Sequence, residues 1–436
     1  MLTYDLVVVG GGPAGMAAAI EAAKNGIEKI LVLEREPELG GILQQCIHTG
    51  FGIHIFTEEL SGPEYAQRFI DEIETRKIEY KLNTTVLSVS PEKQVCFVNP
   101  TDGCLTLQAR AVILAMGCRE RPAGCIGVAG TRPAGVFTAG TAQRYINREG
   151  YLVGKKAVIL GSGDIGLIMA RRMTLEGAKV LAVVELQPFP GGLNRNVVQC
   201  LDDFGIPLLI NHTITEIQGR ERVDGVVVAE VKDGAVVPGT ETRFDCDTLL
   251  LSVGLIPENE LSVAAGVKLD EASRGPVLNE SLETNIAGIF ACGNVAHVHD
   301  LVDFVTAESR KAGQCAAAYL NGLRFSGQNL VRTVPGNGVQ YIVPQLVRAE
   351  NVGEKLTFLL RVKQPYTDAE LVVKADGVIQ ERVKKKRLLP GIMEKITVDA
   401  AALANRNVAS LSIEVRKVGS SDTNKIDHLH CLSARV

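Results

Sequence analysis

Residues 4–35 read YDLVVVGGGPAGMAAAIEAAKNGIEKILVLER, and the change of period within them decides the fold. Tyr4–Val9 is a continuous apolar, β-branched run, the pattern of a strand buried on both faces of a parallel sheet. A glycine-rich turn then opens an alanine-rich helical stretch that stops at Gly26, and Lys29–Arg35 reads as a second buried strand. The turn holds Gly10, Gly12 and Gly15 in a G-x-G-x-x-G pattern, and Glu34 follows Gly10 by 24 residues. In such a unit the first glycine makes the tight turn and the second lets the backbone approach a pyrophosphate at the positive end of the helix. The third glycine lets helix pack on strand, and the terminal acid accepts hydrogen bonds from a ribose. Gly10, Gly12, Pro13, Ala14, Gly15, Glu34 and Arg35 are therefore candidate dinucleotide contacts.

The same unit returns 151 residues later, with Gly161, Gly163 and Gly166 in the turn and Glu185 again 24 residues after the first glycine. Asp164 and Ile165 lie inside this second turn. An acid at Glu185 favours the free 2′-hydroxyl of NAD and repels the 2′-phosphate of NADP. Arg195 is the basic residue near enough in sequence to argue the other way. Two sites in one chain imply two different dinucleotides, a bound flavin (FAD) and a diffusing nicotinamide (NAD).

The remaining composition agrees with an enzyme of this kind. A chain of 436 residues is long enough for two or three domains, and 44 glycines exceed the roughly 7% average. A net charge of −4 gives no reason to expect nucleic acid. No apolar run reaches the ~18 residues of a membrane span, and no basic leader precedes Leu6, so a cytoplasmic protein without a transmembrane segment is expected. The ten cysteines are scattered without a Cys-x-x-Cys, which fits reduced thiols and leaves no ordinary iron–sulfur ligand set. Beyond residue 335 the runs KLTFLLRV, AELVVKADGVIQ, EKITVDA and SLSIEVRK alternate apolar and polar residues, with Asp376-Gly377 as a hairpin turn. They predict a small antiparallel β domain, in which Lys384–Arg387 reads as a solvated edge strand.

With these motifs the chain resembles the two-dinucleotide-binding-domain flavoproteins, the pyridine nucleotide–disulfide oxidoreductase superfamily. AVILAMG (Ala111–Gly117) is similar to the strand by which the chain leaves the FAD domain, and LLLSVGLIPENE (Leu249–Glu260) to the return strand. TNIAGIFACGN (Thr284–Asn294) resembles the second FAD signature, with Asn294 where the family usually has aspartate. The resemblance implies an α/β fold of two Rossmann-like domains, for FAD and NAD, plus the C-terminal β domain. It divides the chain into residues 1–117 and 254–334 for FAD, 118–253 for NAD and 335–436 for the accessory domain. It adds Gly41, Ala115, Gly117, Gly293 and Asn294 to the FAD contacts. A helix is expected to begin near Asp303, with its positive end toward the flavin.

Disulfide reductases of the superfamily use two spaced cysteines, whereas Gly40-Gly41 here precedes a single thiol, Cys46, in CIHTGFG. Cys46 admits two readings: the lone redox thiol of an NADH oxidase or peroxidase, or a small residue of the flavin wall. His48 and, after the second signature, His297 and His299 are candidate catalytic or packing imidazoles. HLHC at 428–431 falls short of a metal site, and no metal is expected. Met116–Asn147 resembles electron-transferring subunits of opine, proline, sarcosine and cyanide-forming dehydrogenases, a branch without redox cysteines. Residues 40–56 and 292–305 look most like the flavoprotein found beside glycerol-3-phosphate dehydrogenase in bacterial glycerol-use gene clusters. The resemblance implies an FAD-dependent NAD(H) oxidoreductase whose partners are another flavoprotein, of the dehydrogenase type, and a cysteine-rich, iron–sulfur-type subunit. The alternatives are a stand-alone oxidase using Cys46 and a non-catalytic flavin-binding assembly protein.

Overall fold

The computed structural model describes residues 2–323, 330–399 and 408–418. Thr3–Val9 forms the predicted central strand, with parallel neighbours Ile30–Leu33 and Gly103–Leu114 on its two sides. Helix Pro13–Lys24 connects the first pair as the crossover that parallel strands require. The long strand Gly103–Leu114 serves two neighbours along one edge. Its first half pairs antiparallel with Gln94–Asn99, and Val112–Leu114 pairs parallel with Ile289–Ala291. That second pairing brings the chain back into its first sheet after the whole second unit has been built. Helix Val302–Leu320 then lies on helix Pro13–Lys24 so closely that a Cβ on Gly313 would stand 2.2 Å from the Ala18 carbonyl oxygen.

The second unit is a five-stranded parallel sheet in the order 136–138, 248–251, 156–160, 179–185, 208–210. Its helix Asp164–Leu175 follows the second glycine turn. A further five-stranded mixed sheet, with the His212–Gly219 and Val223–Lys232 hairpin at its centre, covers this unit. Cys118–Glu120 and Leu255–Pro257, the outgoing and returning connections between the units, pair antiparallel with each other.

The C-terminal region is a β sandwich of a five-stranded and a three-stranded sheet around one buried cluster that includes Val331, Phe358, Leu360, Leu371 and Ile413. Its pairing is antiparallel except between Leu330–Pro335 and Ser410–Lys417, which run parallel. Asp376 and Gly377 both have positive φ (45° and 84°), as the predicted two-residue hairpin turn requires. Lys384–Arg387 lies on the edge strand Val378–Leu388, where Lys385 pairs with Glu394 at 2.6 Å. Residues 428–431 lie outside the described residues. Among the described residues no helix is long and apolar enough to cross a membrane.

Candidate functional site

A cavity of about 1760 Å³ runs between the two glycine turns and under the edge of the sandwich. At its floor Gly10 has φ 107° and passes so close to the exit strand that a Cβ would stand 2.5 Å from the Ala115 carbonyl oxygen. Gly15 packs behind it, where a Cβ would meet the Gly10 carbonyl oxygen at 1.8 Å. Gly12 faces open space, its nearest neighbour being Gly41 Cα, 3.9 Å from where a Cβ would stand. Helix Pro13–Lys24 starts here without a side-chain cap, so its first N–H groups are left for a ligand. Glycine backbone on both sides and an uncapped helix end fit a pyrophosphate. Glu34 is buried and braces the turn, accepting N–H bonds from Gly11 (2.6 Å) and Glu36 (2.8 Å) while still facing the cavity.

The second turn repeats this construction. Gly161 has φ 96°, and a Cβ on it would stand 2.1 Å from the Ser252 carbonyl oxygen. Glu185 accepts the backbone N–H of Ser162 (2.9 Å), its hydroxyl (2.6 Å) and the N–H of Gln187 (2.8 Å). Asp164 accepts from the Leu193 N–H (2.8 Å) and Asn196 Nδ2 (2.6 Å), holding the 191–196 segment over the helix start. Arg195 turns away from Glu185. Its guanidinium lies 2.9 Å from where a Cβ on Gly50 would stand, and it shares a second, smaller cavity with His54 and Asp303.

Gly10, Gly12, Pro13, Ala14, Glu34, Arg35, Gly41, Cys46, Ala115, Gly117, Gly163, Asp164, Ile165, Asn294 and His299 all line the large cavity. Gly15, Gly161, Gly166, Glu185, Gly293 and His48 lie outside its wall. Gly293, at φ 72°, leaves no room for a side chain, since its Cβ would meet Ala14 Cβ at 2.7 Å. Asn294 is engaged by the protein: its Oδ1 accepts the His299 N–H (3.0 Å), and its Nδ2 lies 3.5 Å from Cys118 Sγ. The helix expected near Asp303 spans Val302–Leu320 and brings Val302 and Val305 to the cavity at its positive end.

Cys46 ends the short turn Gly41–Gln45, its thiol 3.3 Å from the Ile42 carbonyl and 3.8 Å from Gln143 Oε1. Burial pushes that thiol up to about 12, which keeps it protonated and poorly nucleophilic. His48 bonds to the Thr49 carbonyl (3.0 Å) and packs on Phe51, and burial lowers its pKa. Cys118, which sequence reasoning passed over, lines the cavity directly after Gly117, and burial pushes its thiol up to about 11.

Three further wall groups come from elements remote in sequence. Glu120 accepts the Gly140 N–H on both oxygens (2.9 and 2.8 Å), and its desolvation raises its pKa. Tyr341 and Arg361 come from the sandwich, the arginine donating to Tyr341 Oη (3.2 Å), the Pro390 carbonyl (3.0 Å) and the Val298 carbonyl (3.1 Å). Behind His299, the buried carboxylate of Glu308 lies 2.7 Å from His297 Nε2 and 3.4 Å from His299 Nε2.

Two parallel-sheet units with glycine turns opening on one cavity define a flavoprotein of the two-dinucleotide-binding class. Residues 4–322 match the pyridine nucleotide-disulphide oxidoreductase family, and the chain belongs to it. It is accordingly an FAD-dependent oxidoreductase of nicotinamide nucleotides. The chain is 29% identical to an opine oxidase subunit of Agrobacterium tumefaciens (strain Ach5), over 68% of this chain and 62% of that protein's length. It is 26% identical to the thioredoxin reductase of Listeria innocua serovar 6a, over 74% of this chain and 95% of the relative. Among solved structures, thioredoxin reductase of T. acidophilum superposes with a TM-score of 0.60 at 25% identity, covering 73% of this chain and 99% of that one.

Proposed function

We propose that the chain exchanges electrons between NAD(H) and FAD as one subunit of a multi-subunit dehydrogenase in the cytoplasm. The observation that carries this is the shared cavity: one space is lined by both glycine turns, and its Cys46 thiol is held protonated. Bound FAD and nicotinamide supply hydride chemistry, which leaves this chain the tasks of binding, orientation and exclusion of water. Residues 1–117 and, of the expected 254–334, the part that ends with helix Val302–Leu320 form the FAD-binding domain in this reading. Gly10, Gly12, Pro13 and Ala14 with Gly41 hold the FAD pyrophosphate, Gly15 sets the helix against the strand, and Glu34 with Arg35 takes the adenosine end. Ala115, Gly117 and Asn294 form the wall along its other half, with Gly293 behind them against Ala14.

Residues 118–253 bind NAD through Gly161, Gly163, Asp164, Ile165 and Gly166, with Glu185 selecting the unphosphorylated ribose. The sandwich, whose first strand Leu330–Pro335 begins ahead of the boundary expected at 335, closes the cavity with Tyr341 and Arg361. The multi-subunit role is supported by the likeness to a protein named as part of an opine oxidase. The resemblance of residues 40–56 and 292–305 extends the proposal to a glycerol-3-phosphate-linked complex, whose other members are a second flavoprotein and a cysteine-rich iron–sulfur-type subunit.

The test is purification of the native protein under mild conditions, with visible spectra before and after NADH. Co-purification with a dehydrogenase partner and NADH bleaching of the flavin are expected. A monomer that turns over NADH with oxygen or peroxide at full rate would overturn the subunit role, and a flavin untouched by NADH would overturn the electron transfer.

A further inference from the structure

His297 and His299 stand on one side of a single buried carboxylate. Glu308 Oε2 is 2.7 Å from His297 Nε2 and 3.4 Å from His299 Nε2, and Oε1 accepts the Gly293 N–H at 2.8 Å. The ring centroids are 4.2 Å apart, and His299 reaches the cavity wall while His297 is fully buried behind it. The His299 Nδ1 bonds to the His297 carbonyl (3.0 Å), whereas the His297 Nδ1 and the His299 Nε2 have no hydrogen-bond partner among the described residues. The same loop adds Asp300, and the sandwich adds Arg361, 3.7 Å from Asp300 Oδ1, and Tyr341, whose ring meets His297 edge-on. Cys292 and Ser309 flank Glu308 without bearing charge. Asp303 on the same helix is turned to the Gly52 and Ile55 N–H groups.

With both imidazoles neutral, Glu308, Asp300 and Arg361 leave one uncompensated negative charge in a water-poor region. One proton on either imidazole cancels it. Burial lowers the pKa of His297 and favours the neutral ring, against the pull of Glu308. Burial opposes ionisation of Glu308, while attraction to the protonated forms of His297 and His299 and a hydrogen bond from His297 hold its carboxyl below the usual range, so carboxylate and imidazoles exchange protons as one group. A further negative charge in the cavity raises the proton affinity of the whole group.

We propose that His297, Glu308 and His299 form a proton store that loads when the cavity is reduced and empties when the electrons leave. The proposal rests on the reading that this cavity holds FAD. In balance, NADH gives up a hydride and leaves as NAD⁺, so two electrons and one hydrogen nucleus enter the cavity with one net negative charge. One solvent proton then enters the triad through His299. When two electrons pass to the acceptor, both protons depart. His297 and Glu308 act as positioning residues through His299.

The test uses the full-length FAD-loaded protein. Potentiometric titration between pH 6 and 9 compares wild type with Glu308→Gln and His299→Gln. The wild-type reduction equilibrium should fall tenfold more steeply per pH unit than in either variant, which is about 30 mV per pH unit for two electrons. Independently, ¹⁵N-histidine NMR of the wild type should show one imidazole gaining a proton on reduction. Equal pH slopes, or imidazole signals indifferent to reduction, would overturn the store while leaving FAD binding intact. A transition metal retained at one equivalent by wild type and lost from Glu308→Gln would overturn it as well. Failure of the wild type to bind FAD, seen in its visible spectrum, would remove the underlying reading and is distinct from all of these.

Discussion

Arg348 and Glu280 are joined twice: the Arg348 backbone N–H donates to Oε2 at 2.8 Å and its Nε donates to Oε1 at 2.9 Å, both side chains less than a tenth exposed. Glu283 takes the Arg348 Nη1 at 3.1 Å. Arg348 ends a sandwich strand, while Glu280 and Glu283 precede the strand that re-enters the first sheet, so this is an ionic joint between sandwich and dinucleotide core. Removing Arg348 leaves both buried carboxylates without the arginine they share, and an uncompensated buried charge costs about 3–5 kcal/mol. Arg348→Ala should lower the unfolding free energy in urea by that amount and make the sandwich the first region cut in limited proteolysis, whereas Glu280→Ala, which keeps the Arg348–Glu283 pair, should cost less. The triple change Glu280→Leu, Glu283→Gln and Arg348→Met should cost far less, since no charge is then stranded.

The glycine turns were legible because each residue has one steric job at fixed spacing, and Gly10, Gly15, Gly161 and Gly166 sit where side chains would collide with backbone or close neighbours. The helix at Val302 was legible from the signature ahead of it. Glu308 was not, because its value comes from pointing back at His297, a relation set by packing and by no sequence period. Tyr341 and Arg361 belong to a region with strand alternation alone, which carries no sign of where the sandwich docks. Cys118 was passed over for a similar reason: a lone small residue in a connection has no pattern. Arg195 shows the limit of proximity in sequence, since it faces Gly50 and leaves Glu185 alone.

Cys46 separates the multi-subunit reading from the stand-alone oxidase. A thiol pushed up to about 12 by burial is ionised to only about one part in 10⁴ at pH 8. Its alkylation by iodoacetamide should be far slower than that of the exposed Cys104 and should rise tenfold per pH unit through the alkaline range. Cys46→Ser should keep NADH-to-dye turnover within about twofold, because the reading gives the thiol no bond to form. A variant with less than a hundredth of wild-type turnover and normal flavin content would restore the lone-thiol mechanism.

The proposed nicotinamide choice rests on Glu185 and on the direction Arg195 takes. The Glu185 carboxylate is held in place by Ser162 and Gln187, and Arg195 is directed to Gly50, so in the proposed binding mode a 2′-phosphate would meet Glu185 as repulsion. The ratio of kcat/KM for NADH over NADPH should exceed tenfold, which is about 1.4 kcal/mol. Glu185→Gln should narrow that ratio while keeping the Ser162 contacts. Arg195→Ala should leave it unchanged, and a large swing in the ratio from Arg195→Ala would place that side chain at the nucleotide after all.

The two glycine turns can be told apart by the same substitution made in each. At Gly10 an alanine Cβ would stand 2.5 Å from the Ala115 carbonyl oxygen, and at Gly161 it would stand 2.1 Å from the Ser252 carbonyl oxygen. Both glycines also have φ near 100°, a backbone conformation that an L side chain strains. Each change must therefore push its own turn into the space above it and leave the other turn untouched. Gly10→Ala should yield folded protein depleted of FAD, measured by the visible absorbance of the purified sample. Gly161→Ala should retain FAD with an unchanged spectrum but raise the KM for NADH at least tenfold, with dithionite still reducing the flavin fully. The reverse outcome, FAD lost from Gly161→Ala and kept by Gly10→Ala, would exchange the assignments of the two domains.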